Sequence, residues 1–99
     1  MNYTNGMLRD DALKGKNIVV TGGGSGLGKA MTTYFLKLGA QVAITSRNID
    51  KLETVAKELT EETGSKCVPL QCDVRHIEEV EAMRDAAIKA LGPIDVLLN

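Results

Sequence analysis

Two rhythms of apolar residues alternate along the chain. Short β-branched runs occur at Asn17-Ile18-Val19-Val20-Thr21 and Gln41-Val42-Ala43-Ile44-Thr45, with a weaker one at Cys67-Val68-Pro69-Leu70-Gln71 and a fourth at Ile94-Asp95-Val96-Leu97-Leu98. The first and last are largely apolar on both faces, which predicts strands buried in a parallel sheet with helices on each side. Between the runs, apolar positions recur at three and four residues. The stripes are Leu27, Ala30, Met31, Tyr34, Phe35 and Leu38; Leu52, Val55, Ala56 and Leu59; and Ile77, Val80, Met83, Ala87 and Leu91. Gly39, Gly64 and Gly92-Pro93 follow as stops, so each stripe predicts an amphipathic helix closed by glycine. The order β-α-β-α-β-α-β, with short connections, predicts an α/β fold built on one parallel sheet.

The candidate chemistry begins at Thr21-Gly22-Gly23-Gly24-Ser25-Gly26-Leu27-Gly28, directly after the first strand and opening the first helix. A pyrophosphate placed there meets unpaired backbone N–H groups and the positive end of the helix dipole. Gly22 permits the tight exit from the strand, Gly26 lets the backbone approach the phosphates, and Gly28 lets the helix pack closely on the strand. Ser25 adds a hydroxyl donor. No Lys-Ser/Thr follows the last glycine, which removes the P-loop reading. At the end of the second strand stands Ser46-Arg47, where folds that choose NAD place Asp or Glu to bind the ribose hydroxyls. An acid there repels a 2′-phosphate, whereas a guanidinium binds it through two parallel hydrogen bonds. Asn48 offers a further donor. The expected cofactor is NADP(H).

The spacing Thr-Gly-x3-Gly-x-Gly, then Ser46-Arg47, Cys72-Asp73-Val74 and Ile94-Asp95-Val96-Leu97-Leu98-Asn99 in that order, resembles the short-chain dehydrogenase/reductase family from Leu13 to Asn99. The resemblance implies a Rossmann-type sheet with helices on both faces, of which only the first β-α-β-α-β-α-β half is present. It divides the chain into a polar arm over 1–14 and a dinucleotide-binding half-domain over 15–99. It implies cofactor contacts from Thr21, Gly22, Gly24, Ser25, Gly26, Leu27, Gly28, Ser46, Arg47 and Asn48. It places Asp73 on the adenine amino group, Val74 beside the ring, and Asn99 at the start of an Asn-Asn-Ala-Gly segment near the cofactor. Asp73 is also an N-cap candidate for the helix carrying Glu78 and Glu79.

Within the family, the run from Thr21 to Ala40 together with Gln71-Cys72-Asp73-Val74-Arg75 looks most like the 2,4-dienoyl-CoA reductases. Members of that branch use NADPH to reduce dienoyl-CoA thioesters in the breakdown of unsaturated fatty acids. The resemblance therefore implies a small-molecule substrate, an acyl-CoA, and a homotetramer in the full-length protein. Other family members reduce ketones or acyl-carrier-protein thioesters, and a nucleotide-binding module without catalysis is a further alternative. The family's catalytic Asn, Ser and Tyr-x3-Lys come later in the chain. Tyr3 and Tyr34 are followed four places on by Met7 and Leu38, so no catalytic residue is assigned and the 99 residues are expected to be one part of a longer enzyme.

Composition narrows the partners. A net charge of −1 gives no electrostatic case for nucleic acid or an anionic membrane. No apolar run approaches the roughly 20 residues of a membrane span. The polar start, with Asp10 and Asp11, lacks a signal-peptide layout, so a cytoplasmic protein is expected. Cys67 and Cys72 are five apart on one strand, hence on opposite faces and about 16 Å apart, too far for a disulfide and unsuited to a metal site. The lone His76 is expected at the surface without a chemical role. Lys29 lies either near the phosphates or toward solvent.

Overall fold

The computed structural model of the chain describes residues 12–22 and 26–98. Strands β1 (Asn17–Thr21), β2 (Gln41–Ser46), β3 (Cys67–Gln71) and β4 (Val96–Leu98) alternate with helices α1 (Gly26–Lys37), α2 (Ile49–Thr63) and α3 (Ile77–Leu91). All pairings are parallel, and the sheet runs β3-β2-β1-β4. Asn17 lies opposite Gln41 and Thr21 opposite Thr45. On the outer sides, Val42 pairs with Cys67 and Ile18 with Val96. The chain therefore steps outward from β1 to β2 to β3, then returns to lay β4 on the other side of β1. In parallel sheets, ligands bind at the carboxyl ends of the strands around such a reversal.

Strand alternation divides the interior into two cores. Ile18, Val20, Val42 and Ile44 pack with Leu36 of α1 and with Leu52, Ala56 and Leu59 of α2. Val19 and Ala43 pack on the other face with Met83, Ala87 and Leu91 of α3. Helices thus cover both faces, as the apolar stripes predict. Cys67 belongs to the first core and Cys72 to the second, and both thiols are free and buried. Burial pushes the Cys67 thiol up to about 12, so it stays protonated at neutral pH. Pro69, which has no N–H to give, sits in β3 at the edge of the four-stranded sheet, where a missing donor is tolerated. The expected glycine stop of α2 is a left-handed Gly64 (φ 74°, ψ 2°) whose amide donates to the Thr60 carbonyl at 2.9 Å.

Three expectations need correction. The fourth strand is shorter than its apolar run, since Ile94 and Asp95 precede it. Nor is it buried on both faces: Val96 and Leu97 are exposed, because no described helix covers that margin of the sheet. In α1 the apolar stripe is broader than the face that packs. Leu27 and Tyr34 are exposed, while Thr32 is fully buried and turns its hydroxyl back to the Gly28 carbonyl at 2.8 Å. That bond satisfies the hydroxyl and lets a threonine occupy a core position.

The amino ends of β1, β2 and β4 are joined through one buried side chain. Asn17 donates through Nδ2 to the Pro93 carbonyl at 2.9 Å and accepts from Gln41 Nε2 at 3.0 Å. Its backbone amide donates to Asp95 Oδ2, and the Asp95 amide returns a bond to the Asn17 carbonyl, both at 2.8 Å. Leu13 adds a further tie, with its amide donating to the Leu38 carbonyl at 2.8 Å and its side chain packed against the first core. Replacing Asn17 by Ala leaves the partners of its amide without it. We expect a loss of about 2 kcal/mol, measured in the full-length protein as a lower urea midpoint with an unchanged slope.

Candidate functional site

The site is assembled where β1, β2 and β3 end side by side. Beyond Thr21 the chain leaves the sheet at Gly22, whose φ is 71°. This is the left-handed region that glycine enters without a β-carbon clash. The Gly22 amide donates to the Thr45 carbonyl at 2.8 Å, so the turn is fastened to β2. Among the described residues, and apart from adjoining backbone, no atom lies within 4 Å of where a β-carbon would stand on Gly22 or Gly26, so Gly22 answers a backbone demand and not crowding. The space beside Gly26 is likewise open to an approaching group. Thr21 Oγ1 donates to the Leu98 carbonyl at 3.1 Å, tying the ends of β1 and β4 together. Gly26, Leu27 and Gly28 form the first turn of α1, with Leu27 exposed. Gly24, Ser25 and Asn99, all named as cofactor contacts from the sequence, lie outside the described residues.

At the end of β2, several polar groups are tied to neighbours. Ser46 Oγ accepts from the Asn48 amide at 3.1 Å, and the Ser46 carbonyl accepts from the Cys72 amide at 2.9 Å. The Arg47 carbonyl accepts from Gln71 Nε2 at 3.2 Å, while Arg47 itself is exposed. Asn48 is the N-cap of α2, its Oδ1 accepting from the Lys51 amide at 3.4 Å. The sequence offered Asn48 only as a ligand donor; its cap role follows from the spacing to α2.

Asp73 is not the N-cap of α3. That position is His76, exposed and without a side-chain cap bond. Asp73 instead closes the turn ahead of it. Its Oδ1 accepts from the Arg75 amide at 3.0 Å, and its carbonyl accepts from the His76 amide at 3.0 Å. The Asp73 amide donates to Glu79 Oε1 at 3.2 Å. The carboxylate also receives the Arg75 guanidinium, Nε at 3.0 Å from Oδ1 and Nη2 at 2.7 Å from Oδ2. These bonds to Arg75 hold the Asp73 carboxyl well below the usual carboxylate range. Burial raises the neighbouring Cys72 thiol, and the charges of Glu79 and Asp73 push it the same way. Lys29, left open by the sequence, reaches Glu58 of α2 at 4.0 Å.

A cleft of about 380 Å³ lies between these strand ends. Thr21 and Gly22 line it from β1, Thr45, Ser46 and Arg47 from β2, and Cys72 through Arg75 from β3. Most residues that the sequence singled out at the three strand ends therefore meet around one space. Thr45, Cys72 and Arg75 join them unannounced. Thr45 Oγ1 is buried there without a hydrogen-bond partner, and a polar group in that condition suits a site completed by another molecule. The space fits an adenosine half of a dinucleotide. Open backbone lies at Gly22 and Gly26, and Arg47 supplies a cation on the β2 side of the cleft. Among the described residues there is no cluster of ligands suited to a metal ion, and no helix is long and apolar enough to cross a membrane.

Comparison with known proteins agrees with this geometry. A family model described as short chain dehydrogenase matches residues 16–99. The chain is 46% identical over 94 residues to a probable 2,4-dienoyl-CoA reductase 3 of Caenorhabditis elegans, covering 94% of this chain and 30% of that one. It is 36% identical over 99 residues to the peroxisomal 2,4-dienoyl-CoA reductase of Danio rerio, covering 100% of this chain and 33% of the relative. The chain thus spans about a third of the length of the curated relatives it matches. Among solved structures, L-sorbose reductase of Gluconobacter frateurii, complexed with NADPH and L-sorbose, superposes with a TM-score of 0.83 at 32% identity. That match covers 90% of this chain and 34% of the other.

The Asp73–Arg75 pair has a pH signature. Because the folded carboxyl titrates below its unfolded value of about 3.9, the pair contributes stability above that value and loses it as pH falls through the folded one. In a carboxyl-carbon NMR titration, Asp73 should inflect well below the ordinary aspartate range, and Arg75→Ala should return it upward. An inflection unmoved by that substitution contradicts the assignment.

Proposed function

The chain belongs to the short-chain dehydrogenase family, and from that premise we propose that it is the NADP(H)-binding part of an NADPH-dependent oxidoreductase that reduces 2,4-dienoyl-CoA. The observation that carries the cofactor choice is Arg47. It stands at the carboxyl end of β2, in the same cleft as Thr21 and Gly22, with the hydroxyl of Ser46 and no carboxylate at the ribose position. A guanidinium there pairs with a 2′-phosphate in a two-point geometry that a lysine cannot copy. Ser46 and Asn48 add neutral contacts beside it.

The remaining assignments rest on the resemblance of the sequence motifs. Amides of the turn from Gly22 through Gly28, with the Ser25 hydroxyl, take the pyrophosphate at the N-terminus of α1. Thr21, Leu27 and Asn99 belong to the same set of cofactor contacts. Asp73 and Val74 bind the adenine end. When bound, the nicotinamide supplies the hydride, and the protein contributes orientation and electrostatics. Residues 15–99 act as the dinucleotide-binding half-domain, preceded by an arm over 1–14, within a longer homotetrameric enzyme. The names of the nematode and zebrafish relatives support the dienoyl-CoA substrate. The likeness to L-sorbose reductase favours a second reading, a family reductase acting on a ketone. For compartment we propose the cytoplasm, while the zebrafish relative is named peroxisomal.

The decisive experiment is a comparison of two cofactors in the full-length protein. Arg47→Glu should weaken NADPH binding by tenfold or more, about 1.4 kcal/mol, and leave NADH nearly unchanged. Equal losses for both remove Arg47 from the 2′-phosphate. Turnover of a 2,4-dienoyl-CoA with NADPH, against a ketone such as L-sorbose, separates the two substrate readings.

A further inference from the structure

Arg75 is the cleft residue with the most ordered surroundings and no part in the cofactor reading above. It follows the turn at Asp73, which is held at three backbone points: the Arg75 amide on Asp73 Oδ1, the His76 amide on the Asp73 carbonyl, and the Asp73 amide on Glu79. Its guanidinium then lies on the Asp73 carboxylate through Nε and Nη2, at 3.0 and 2.7 Å. A planar group gripped at one edge keeps its two faces available. Arg75 is nevertheless largely exposed, its side chain 68% accessible, in a wall of the cleft where Val74 is also exposed. An exposed valine next to an immobilised guanidinium, both bordering one space, makes a surface suited to a flat aromatic ring.

We propose that Arg75 is a cofactor-binding residue whose guanidinium, fixed by Asp73, stacks its face on the adenine ring of the dinucleotide. The proposal rests on the reading that this cleft takes NADP(H), and it deepens that reading. Division of labour follows from charge. Among the described residues no ion pair engages Arg47, which serves the position that distinguishes the two cofactors. Arg75 is neutralised by Asp73, so its wall presents no net charge for a 2′-phosphate to seek. It recognises what NADPH and NADH share. Asp73 is then a positioning residue for Arg75 as well as a neighbour of the ring.

The test measures NADPH and NADH affinities by calorimetry in the full-length protein, for the wild type, Arg75→Ala and Arg75→Lys, with thermal unfolding to confirm that each variant is folded. Arg75→Ala should weaken both dinucleotides by the same factor, about fivefold, the range of a partly exposed cation–π contact. Arg75→Lys should lose as much, because an ammonium keeps the charge without the plane. Wild-type affinity in Arg75→Ala overturns the proposal. A loss confined to NADPH also overturns it, since Arg75 would then serve the phosphate. Recovery in Arg75→Lys overturns it too, by showing that charge alone suffices. If the wild type binds neither dinucleotide, the cofactor reading itself fails, which is distinct from unaltered binding in the variants.

Discussion

The amide of Gly22, donating to the Thr45 carbonyl at 2.8 Å, sets the place where the chain leaves the sheet. The chain then turns at Gly22 with φ of 71°, a left-handed value that glycine takes without a β-carbon clash. Helix α1 begins at Gly26, and the first amides of a helix have no carbonyl partner within it. Thr45, the residue that accepts the bond, also has its buried hydroxyl on the cleft. One backbone contact therefore fixes the exit of β1 relative to β2, which Arg47 directly follows.

The scaffold that holds this turn is divided by strand alternation. α1 and α2 share one core while α3 closes the other, so the central strands β1 and β2 are sealed on both sides. Parallel strands sealed in this way leave polar backbone accessible only at their ends. At the amino ends the groups are consumed internally, through Asn17, Gln41, Pro93 and Asp95. At the carboxyl ends they border a cleft. The asymmetry makes one end of the sheet structural and leaves the other bordering an open cleft.

Much of this was legible in the sequence because it depends on local chemistry. The short apolar runs gave β1, β2 and β3, the glycine stops marked the ends of the helices, and Cys67 and Cys72 fall in opposite cores as their spacing suggested, although Cys72 lies one residue past β3 and not on it. Local rules failed where tertiary context decides. Periodicity could not tell that Leu27 and Tyr34 lie outside the packed face of α1, nor that Thr32 would satisfy its hydroxyl within the helix and be buried. The apolar run at β4 suggested two covered faces, yet burial depends on what packs there and not on the strand itself. Asp73 before an acidic first turn looked like a cap, but a stronger partner, the Arg75 guanidinium two residues on, takes its carboxylate. That pairing could have been suspected from Asp-x-Arg in a turn, while its position on the cleft could not.

The central claim is that the ends of β1, β2 and β3 form one dinucleotide site. Amide hydrogen exchange of the full-length protein with and without NADP+ tests it most directly. The account predicts slowed exchange in three separate stretches, Gly22 to Gly28, Ser46 to Asn48 and Asp73 to Arg75, with Asn17 and its partners at the opposite end unchanged. Protection confined to other segments, or spread evenly over the chain, would contradict it.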